Sequence, residues 1–212
     1  MMRAYLGLLL FFLPLLTQAK VPIRMASDPA LSPDGKQIAF FWRGDVWVAP
    51  VEGGGARQLT RHPAIDRQPA WSPDGKHIAF VSEREGGQQV WVMPAWGGAP
   101  RKITLHTEGF ILEEWMPDGK SLLTSITRDH FWRRGERFSI IQSDGKQKTE
   151  QVLFDDYGQY PSVSPDGKQV LYNREGERWW RKGYTGSRTS QIWLWDSTSN
   201  KHTKLLSSTD SR

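Results

Sequence analysis

The tetrapeptide Pro-Asp-Gly-Lys occurs four times in this chain, and this repetition constrains the fold more than any other feature of the sequence. The copies stand at residues 33–36, 73–76, 117–120 and 165–168, at intervals of 40, 44 and 48 residues. A period of this size indicates one supersecondary unit written several times, whose neighbouring copies bury a common core by stacking. We therefore expect an array of four related units.

Each copy of the tetrapeptide stands between two segments with strand character. In a type I turn, Pro presets φ at the second position, Asp suits the third, and the following Gly accepts a left-handed backbone. Such a turn makes a tight hairpin. Two further strand-like runs and a second turn complete every unit; in the first unit the successive segments are 30–31, 37–42, 45–48 and 56–60. Four short strands per repeat of this length are typical of a β-propeller blade.

We predict an all-β fold, a partial β-propeller of four four-stranded antiparallel blades that form an open arc. The predicted blades cover about 26–66, 67–110, 111–158 and 159–212, within a propeller region of 20–212. Residues beyond the leader show no stretch with a 3.6-residue apolar period, so we expect almost no helix there.

Tryptophan recurs at fixed positions of the repeat. Trp47, Trp91 and Trp193 share one position in the third strand, where the third unit has Ser139, and two more tryptophans, Trp71 and Trp115, share one in the first strand. A large aromatic residue at one place in successive repeats favours packing between blades over ligand binding. The turn aspartates are interpreted as turn formers rather than metal ligands, because each is followed closely by a lysine and no carboxylate cluster accompanies it.

Residues 1–19 have the pattern of a secretory signal peptide. Arg3 gives a positive start, residues 4–16 form an apolar run too short to span a bilayer comfortably, and small residues Thr17 and Ala19 suit cleavage after Ala19. The alternative is an uncleaved hydrophobic anchor. Either form predicts export, to the periplasm or outside the cell, and cleavage would leave no association with the membrane.

Several kinds of chemistry are excluded by what the sequence lacks. The chain has no cysteine, which rules out disulfides, zinc–cysteine sites and thiol nucleophiles. Its net charge of +5 comes from interspersed charges, so we expect no nucleic-acid partner. The histidines lack metal-ligand spacing, and no G-x-S-x-G motif is present. We predict no catalytic residue, no metal site and no cofactor in this chain.

Two insertions between the second and third strands are the best functional candidates. They lie in the third and fourth units and combine arginine or lysine with aromatic residues, a pairing that binds carboxylates and offers rigid contact area. We predict a peptide-contact rim formed by Arg133, Arg134, Trp179, Trp180, Arg181, Lys182 and Tyr184. The alternative is that the aromatic residues cover a blade edge or a domain interface while the basic residues are solvated.

The motifs resemble those of known exported propellers. The S-P-D-G-K turn, the I-A-F strand and the V-W-V strand before a Gly-Gly turn resemble the WD-like repeats of TolB and related proteins over about residues 26–206. Residues 178–188, R-W-W-R-K-G-Y-T-G-S-R, are similar to the W-K-G-Y-x-G insertion in the N-terminal propeller of tricorn-type proteases. On this resemblance the chain is identified as the start of an exported tricorn-protease homologue.

The resemblance implies a role as well as a fold. In tricorn-type proteases the first propeller guides or filters peptides, while the catalytic residues lie in C-terminal serine-hydrolase domains, and the assembly is a homo-oligomer. It therefore implies a non-catalytic fragment of a serine protease, with peptides or proteins and the missing protease domains as partners. Two alternatives stay open: a free-standing TolB-type periplasmic interaction module, and an enzyme such as a lyase or glycosidase that uses a propeller face directly.

Overall fold

The computed structural model describes residues 22–127, 136–146, 149–174 and 189–207, so the predicted signal peptide at 1–19 lies outside the described residues. The described ranges contain four four-stranded sheets and no helix. The first sheet consists of β1 (Ser27–Leu31), β2 (Gln37–Trp42), β3 (Asp45–Pro50) and β4 (Arg57–Gln58). The second consists of β5 (Asp66–Trp71), β6 (His77–Ser82), β7 (Gln89–Pro94) and β8 (Arg101–Lys102).

The remaining two sheets repeat the same order. The third consists of β9 (Ile111–Trp115), β10 (Ser121–Ile126), β11 (Arg137–Gln142) and β12 (Gln151–Val152). The fourth consists of β13 (Gln159–Val163), β14 (Gln169–Arg174), β15 (Gln191–Asp196) and β16 (Lys201–Ser207). Every sheet is an antiparallel meander in which each strand pairs with its neighbours in sequence. The chain therefore forms a partial, open β-propeller of four blades, and the predicted fold class is confirmed.

The repeated tetrapeptide forms the predicted turn between the first two strands of each blade. In the first blade Gly35 has a φ of 70°, and its amide donates to the carbonyl oxygen of Ser32 at 2.9 Å. The Ser32 hydroxyl donates to Asp34 at 2.6 Å. This hydrogen bond, together with the one from the Lys36 amide, lowers the pKa of the Asp34 carboxyl. The aspartate therefore stabilises the turn by accepting hydrogen bonds within it.

The third blade keeps this turn although it lacks the serine before proline. Met116 stands in that position, and the hydroxyl comes from the other side of the turn, where Ser121 donates to Asp118 at 2.8 Å. The same local hydrogen bonding is therefore reached from a different position in the sequence.

Three apolar clusters join consecutive blades, and we call each such interface a joint. The first joint buries Val46 and Val48 against Phe80 and Trp91, and Trp71 packs on the same cluster. The second places Ala79 and Val92 against Trp115 and Leu122, and the third places Leu123 and Phe138 against Val170 and Tyr172. Four of the five repeated tryptophans, Trp71, Trp91, Trp115 and Trp193, take part in these joints. The fifth, Trp47, lies half-buried on the face of the first blade that no other blade covers.

A hydrogen bond on the inner strands crosses each joint, and we call it the inner rung. The Trp71 indole N–H donates to the Ala30 carbonyl at 3.1 Å, and the Trp115 indole N–H donates to the Ala70 carbonyl at 3.0 Å. The third joint reverses the polarity, because the amide of Val163 donates to the carboxylate of Glu114 at 2.7 Å. Burial raises the pKa of that carboxyl.

An arginine on the fourth strand crosses the first two joints at the periphery, and we call this contact the outer clasp. Arg57 donates to the Trp96 carbonyl at 3.0 Å and to the Ala95 carbonyl at 3.2 Å, and Arg101 donates to the Ser143 carbonyl at 2.9 Å. Gln151 stands at this position in the third blade. The third joint therefore differs from the first two at both its inner and its outer end.

Within the described ranges, no helix is long and apolar enough to cross a membrane.

Candidate functional site

The arc has two rims, which differ in the connections they carry. The turn rim carries the Pro-Asp-Gly-Lys turns, which are hydrogen-bonded to the turns between third and fourth strands. The opposite rim, which we call the insertion rim, carries the connections between second and third strands. In the first three blades these connections are hydrogen-bonded to the chain that leads into the next blade: the amide of Asp66 donates to the Gly44 carbonyl, that of Phe110 to the Gln88 carbonyl, and that of Gly158 to the Glu136 carbonyl.

Every predicted peptide-contact residue lies outside the described residues, within 128–135 or 175–188. The flanking strand ends are described. One insertion follows β10, which ends at Ile126, and the other follows β14, which ends at Arg174. Both strands end at the insertion rim. The contact role of Arg133, Arg134, Trp179, Trp180, Arg181, Lys182 and Tyr184 stays a prediction.

The described part of the insertion rim carries one arginine stacked on an aromatic ring in each blade. The guanidinium carbon lies 4.6 to 5.1 Å from the ring centroid, a distance at which the cation is attracted to the π face. The four pairs are Arg43 on Trp42, Arg84 on Trp91, Arg137 on Tyr157, and Arg174 on Trp193. The rim therefore presents guanidinium groups whose planes are held by rigid rings.

Three of these arginines also pair with a carboxylate. Arg84 reaches the fully buried carboxylate of Asp66 at 2.6 Å, Arg137 reaches Asp155 at 2.9 Å, and Arg174 reaches Asp156 at 3.3 Å. Among the described residues, Arg43 has no such carboxylate partner, and its side chain is exposed. Arg43 is therefore the stacked arginine with the greatest capacity to bind an external acceptor.

Arg43 lines an open concavity of about 450 Å³ together with Pro22, Arg24, Met25 and Trp42. The indole N–H of Trp42 donates to the carbonyl oxygen of Arg24 at 2.9 Å, which fixes the N-terminal segment against this end of the first blade. The Arg43 guanidinium stacked on the indole, with the exposed Arg24 also lining the concavity, forms a surface suited to a peptide carboxylate or backbone carbonyl, because guanidinium donors match both acceptors. This concavity is the candidate site that the described residues support.

Two carboxyl groups meet at the insertion rim of the third blade. Ser125, which is fully buried, donates to Glu113, and the Glu136 carboxyl lies close enough for its charge to act on Glu113. Burial raises the pKa of Glu113 to about 7, the charges of Glu136 and Glu114 add to the rise, and the Ser125 hydrogen bond opposes it. Burial also raises the pKa of Glu136. This cluster can hold a proton near neutral pH.

A second polar cluster ties the third blade to the fourth. The Tyr172 hydroxyl donates to Asp156 at 2.9 Å and lies 2.8 Å from Nδ1 of His202. Burial, followed by the charge of Asp156, raises the pKa of Tyr172. The hydroxyl therefore stays protonated, and the cluster stabilises the joint rather than supplying a nucleophile.

Sequence analysis did not single out the stacked arginines. A recurrent signal was present, because arginine stands at or just after the end of the second strand as Arg43, Arg84 and Arg174, each in a blade with Trp in the third strand. The carboxylates that pair with them lie at the start of β5 (Asp66) or in the link before β13 (Asp155 and Asp156), at no repeated position of the unit. Within the described residues, no group of three His, Asp or Glu side chains could hold a metal ion.

Residues 23–212 match the family model described as the tricorn protease N-terminal β-propeller domain. Comparison with curated proteins finds no match. Among solved structures, putative TolB from Agrobacterium tumefaciens is 24% identical with a TM-score of 0.67, over 86% of this chain and 62% of that protein. TolB from Acinetobacter baumannii is 18% identical with a TM-score of 0.65, over 86% and 43% of the respective chains.

The tricorn protease structure is also similar to this chain. It is 18% identical with a TM-score of 0.56, over 88% of this chain and 18% of that protein. The chain thus spans less than two thirds of each of these proteins. At these identities the likeness to solved structures supports the propeller fold.

Proposed function

Because the chain belongs to the family of tricorn protease N-terminal β-propeller domains, we propose that it is the non-catalytic propeller of an exported tricorn-like serine protease. In this proposal residues 20–212 guide or filter peptides for hydrolytic domains that lie elsewhere in the protein, and residues 1–19 direct export and are removed. The partners are peptides and the protease domains, and the compartment is the periplasm or the cell exterior.

One observation carries the peptide role. The insertion rim presents an arginine stacked on an aromatic ring in each blade, and at the first blade Arg43 and Arg24 open onto solvent beside Trp42. The two basic, aromatic insertions leave the same rim. A peptide that crosses this rim would meet guanidinium donors for its carbonyl and carboxylate oxygens and ring faces for its side chains.

The alternative is a free-standing TolB-type periplasmic interaction module. Its support is the higher TM-score to TolB structures, 0.67 and 0.65 against 0.56 for the tricorn protease. The two readings differ in ligand. We expect a guiding propeller to bind short, unfolded peptides, and an interaction module to bind a folded protein more tightly than a short peptide.

Peptide binding can be measured by fluorescence anisotropy with a labelled, unstructured peptide that has a free C-terminal carboxylate. We expect binding to the full chain, and a dissociation constant about tenfold higher after Arg43→Ala, since a charge-assisted hydrogen bond is worth about 1.5–3 kcal/mol. Lys146→Ala is the matched control, because its exposed cation lies on the turn rim. No peptide binding, or equal loss in both variants, would contradict the proposal.

Two companion measurements test the rest. Arg181→Ala with Lys182→Ala probes the predicted contact rim on the fourth-blade insertion, and unchanged peptide affinity would remove that insertion from the site. N-terminal sequencing of the exported protein tests the leader. We expect the mature chain to begin at Lys20, and a product that keeps Met1 in the cytoplasm would contradict export.

A further inference from the structure

The chain that leads from one blade to the next carries a histidine at the same place in the first two blades. We call residues 59–65, between β4 and β5, the first link, and residues 103–110, between β8 and β9, the second link. The link sequences T-R-H-P-A and T-L-H-T-E place His62 and His106 at one position of the repeat. Both histidines lie at the insertion rim, where each link enters the next blade.

Each of these imidazoles accepts a hydrogen bond from a backbone amide two residues further along the link. The amide of Ala64 donates to Nδ1 of His62 at 3.1 Å, and the amide of Glu108 donates to Nδ1 of His106 at 3.2 Å. We call this bond the histidine cap. It has the form of an Asx-turn, in which a side-chain acceptor bonds the backbone two residues on. Because a ring nitrogen accepts only when it carries no proton, the cap requires neutral imidazole with its hydrogen on Nε2.

Two hydrogen bonds anchor each link on either side of its histidine cap. In the first link the amide of His62 donates to Asp45 at 3.4 Å, and the amide of Asp66 donates to the Gly44 carbonyl at 2.8 Å. The second link has the same two anchors, from His106 to Gln89 at 3.3 Å and from Phe110 to Gln88 at 2.7 Å. The cap therefore bonds the stretch between the anchors. Since Arg43 immediately precedes Gly44, the first link is held beside the candidate site.

The third blade has a carboxylate where the first two links have these histidines. The register of the amide bonds to the third strand of each blade places Asp156 at this position. Its Oδ1 accepts from the Tyr157 amide at 2.8 Å, and its Oδ2 accepts from the Tyr172 hydroxyl at 2.9 Å. All three links thus place a side-chain acceptor here, and the first two use imidazole, whose acceptor nitrogen is lost on protonation.

Charges of both signs surround the first cap. The carboxylate of Asp45 contacts the link and attracts an imidazolium, whereas Arg61 within the link and Arg43 in the neighbouring connection repel one. Asp45 is itself held by the Thr60 hydroxyl at 3.1 Å and by the Gln58 amide at 2.8 Å. Because these charges oppose each other, loss of the cap is the change that protonation imposes on this link.

The second cap has a neutral residue, Gln89, in place of Asp45. The connection at residues 83–88 packs on this link, and its charged side chains are paired elsewhere, Glu83 with Arg67, Arg84 with Asp66 and Glu85 with Lys102. The side chain of Glu108, whose amide is the donor, is exposed. The second cap therefore responds to protonation mainly through its own hydrogen bond.

We infer that His62 and His106 form a pH-sensitive device at the insertion rim, in which neutral imidazoles close the first and second links and protonated imidazoles release them. A proton on Nδ1 turns the acceptor into a donor that faces the amide N–H it had bound. Histidine is the side chain whose charge ordinarily changes between pH 5 and 8, so the caps are present at the alkaline end of this range and lost at the acidic end. The device uses no peptide contact and is independent of the proposed function.

Nuclear magnetic resonance of the 212-residue chain tests this inference. At pH 8 the imidazole nitrogen shifts should show His62 and His106 with the hydrogen on Nε2. Between pH 8 and pH 5 the protection of the Ala64 and Glu108 amides from hydrogen exchange, relative to an unstructured chain, should fall about two- to tenfold, the range that one neutral hydrogen bond contributes.

His62→Asn and His106→Asn are the matched variants, because asparagine forms the same turn through an acceptor that does not titrate. Each should keep its amide protected at both pH values. His77→Asn is the control, since His77 lies on β6 at the turn rim, outside both links, and it should leave the response of Ala64 and Glu108 unchanged.

Glu113→Gln should also preserve the response, which separates the histidine caps from the carboxyl pair of the third blade. Neutral His62 and His106 with the hydrogen on Nδ1 would overturn the inference. Amide protection that is independent of pH in the wild type, or that still falls with pH in the asparagine variants, would overturn it as well.

Discussion

The indole N–H of Trp115 donates a hydrogen bond to the carbonyl oxygen of Ala70 at 3.0 Å, across the joint between the second and third blades. The ring itself is 7% exposed and packs in the core of that joint. One side chain thus supplies both apolar contact and the donor for a carbonyl on the inner strand of the neighbouring blade.

Replacing Trp115 by Phe should lower the free energy of unfolding by about 1–3 kcal/mol. The ring face remains, but the Ala70 carbonyl loses its donor and part of the core volume is lost. Urea unfolding followed by circular dichroism measures the change. Trp96→Phe is the control, since Trp96 is 69% exposed and should leave stability within about 0.5 kcal/mol. Equal effects of the two substitutions would refute a role for the inner rung.

Gly158→Ala should destabilise the third joint through a steric clash. A Cβ at this position would lie 2.5 Å from Cδ2 of Tyr172 and 3.0 Å from the ring of Phe138. Overpacking of this kind costs about 1–3 kcal/mol. The melting temperature should therefore fall by several degrees. Gly55→Ala is the control, because a Cβ there has no atom within 4 Å; the prediction fails if both variants melt alike.

Stability should rise as the pH falls from 8 to 5, because of the Glu113 and Glu136 pair. Burial raises the pKa of Glu113 from 4.5 to about 7, so the folded state binds the proton at a pH where the unfolded state has released it. Protonation below pH 7 therefore favours folding, by up to about 2–3 kcal/mol at pH 4.5. Urea unfolding across this range should show the trend, and Glu113→Gln should flatten it. A wild-type profile with the opposite slope would exclude this assignment.

Removing the cation of Arg84 should be far more costly than removing that of Arg67. Asp66 is fully buried and Arg84 is 11% exposed, so Arg84→Ala leaves a buried carboxylate without its partner and should cost about 3–5 kcal/mol. Arg67 pairs with Glu83 at 3.8 Å on the surface, and Arg67→Ala should cost less than about 1 kcal/mol. Denaturant titration of both variants gives the comparison, and costs within 1 kcal/mol of each other would contradict it.

The repeat made the fold predictable, because turn chemistry and strand alternation are local. Ser32, Asp34 and Gly35 adopt the expected turn, and Trp71 and Trp115 pack between blades as their repeated positions indicate. The family predicted from the sequence is the family to which the chain belongs. The motifs used for that prediction include the insertion at residues 178–188, which lies outside the described ranges.

Contacts that depend on two distant, non-repeated residues could not be predicted. Ser139 occupies the tryptophan position of the third blade, and only the structure shows that its hydroxyl meets that of Thr124 at 2.9 Å in a buried pair. At the third joint the inner rung is a hydrogen bond from the Val163 amide to the Glu114 carboxylate, with the donor and acceptor blades reversed. These residues are about fifty positions apart, and no local sequence pattern indicates the contact. The Arg43 concavity likewise needs the N-terminal segment to cross the first blade, which strand periodicity does not determine.

Side-chain size differs between joints: in the first joint the small Ala39 packs in the same cluster as the indole of Trp71, whereas the third blade has the larger Leu123 at the position of Ala39. The blades are therefore not interchangeable. A shuffled gene that placed the third blade directly before the second would set Leu123 against the indole of Trp71, where Ala39 now leaves room. The repeats resemble copies of one module, yet the side chains at the joints specify the order of the blades. Duplicating or permuting a single blade therefore requires compensating substitutions in the blade that becomes its neighbour.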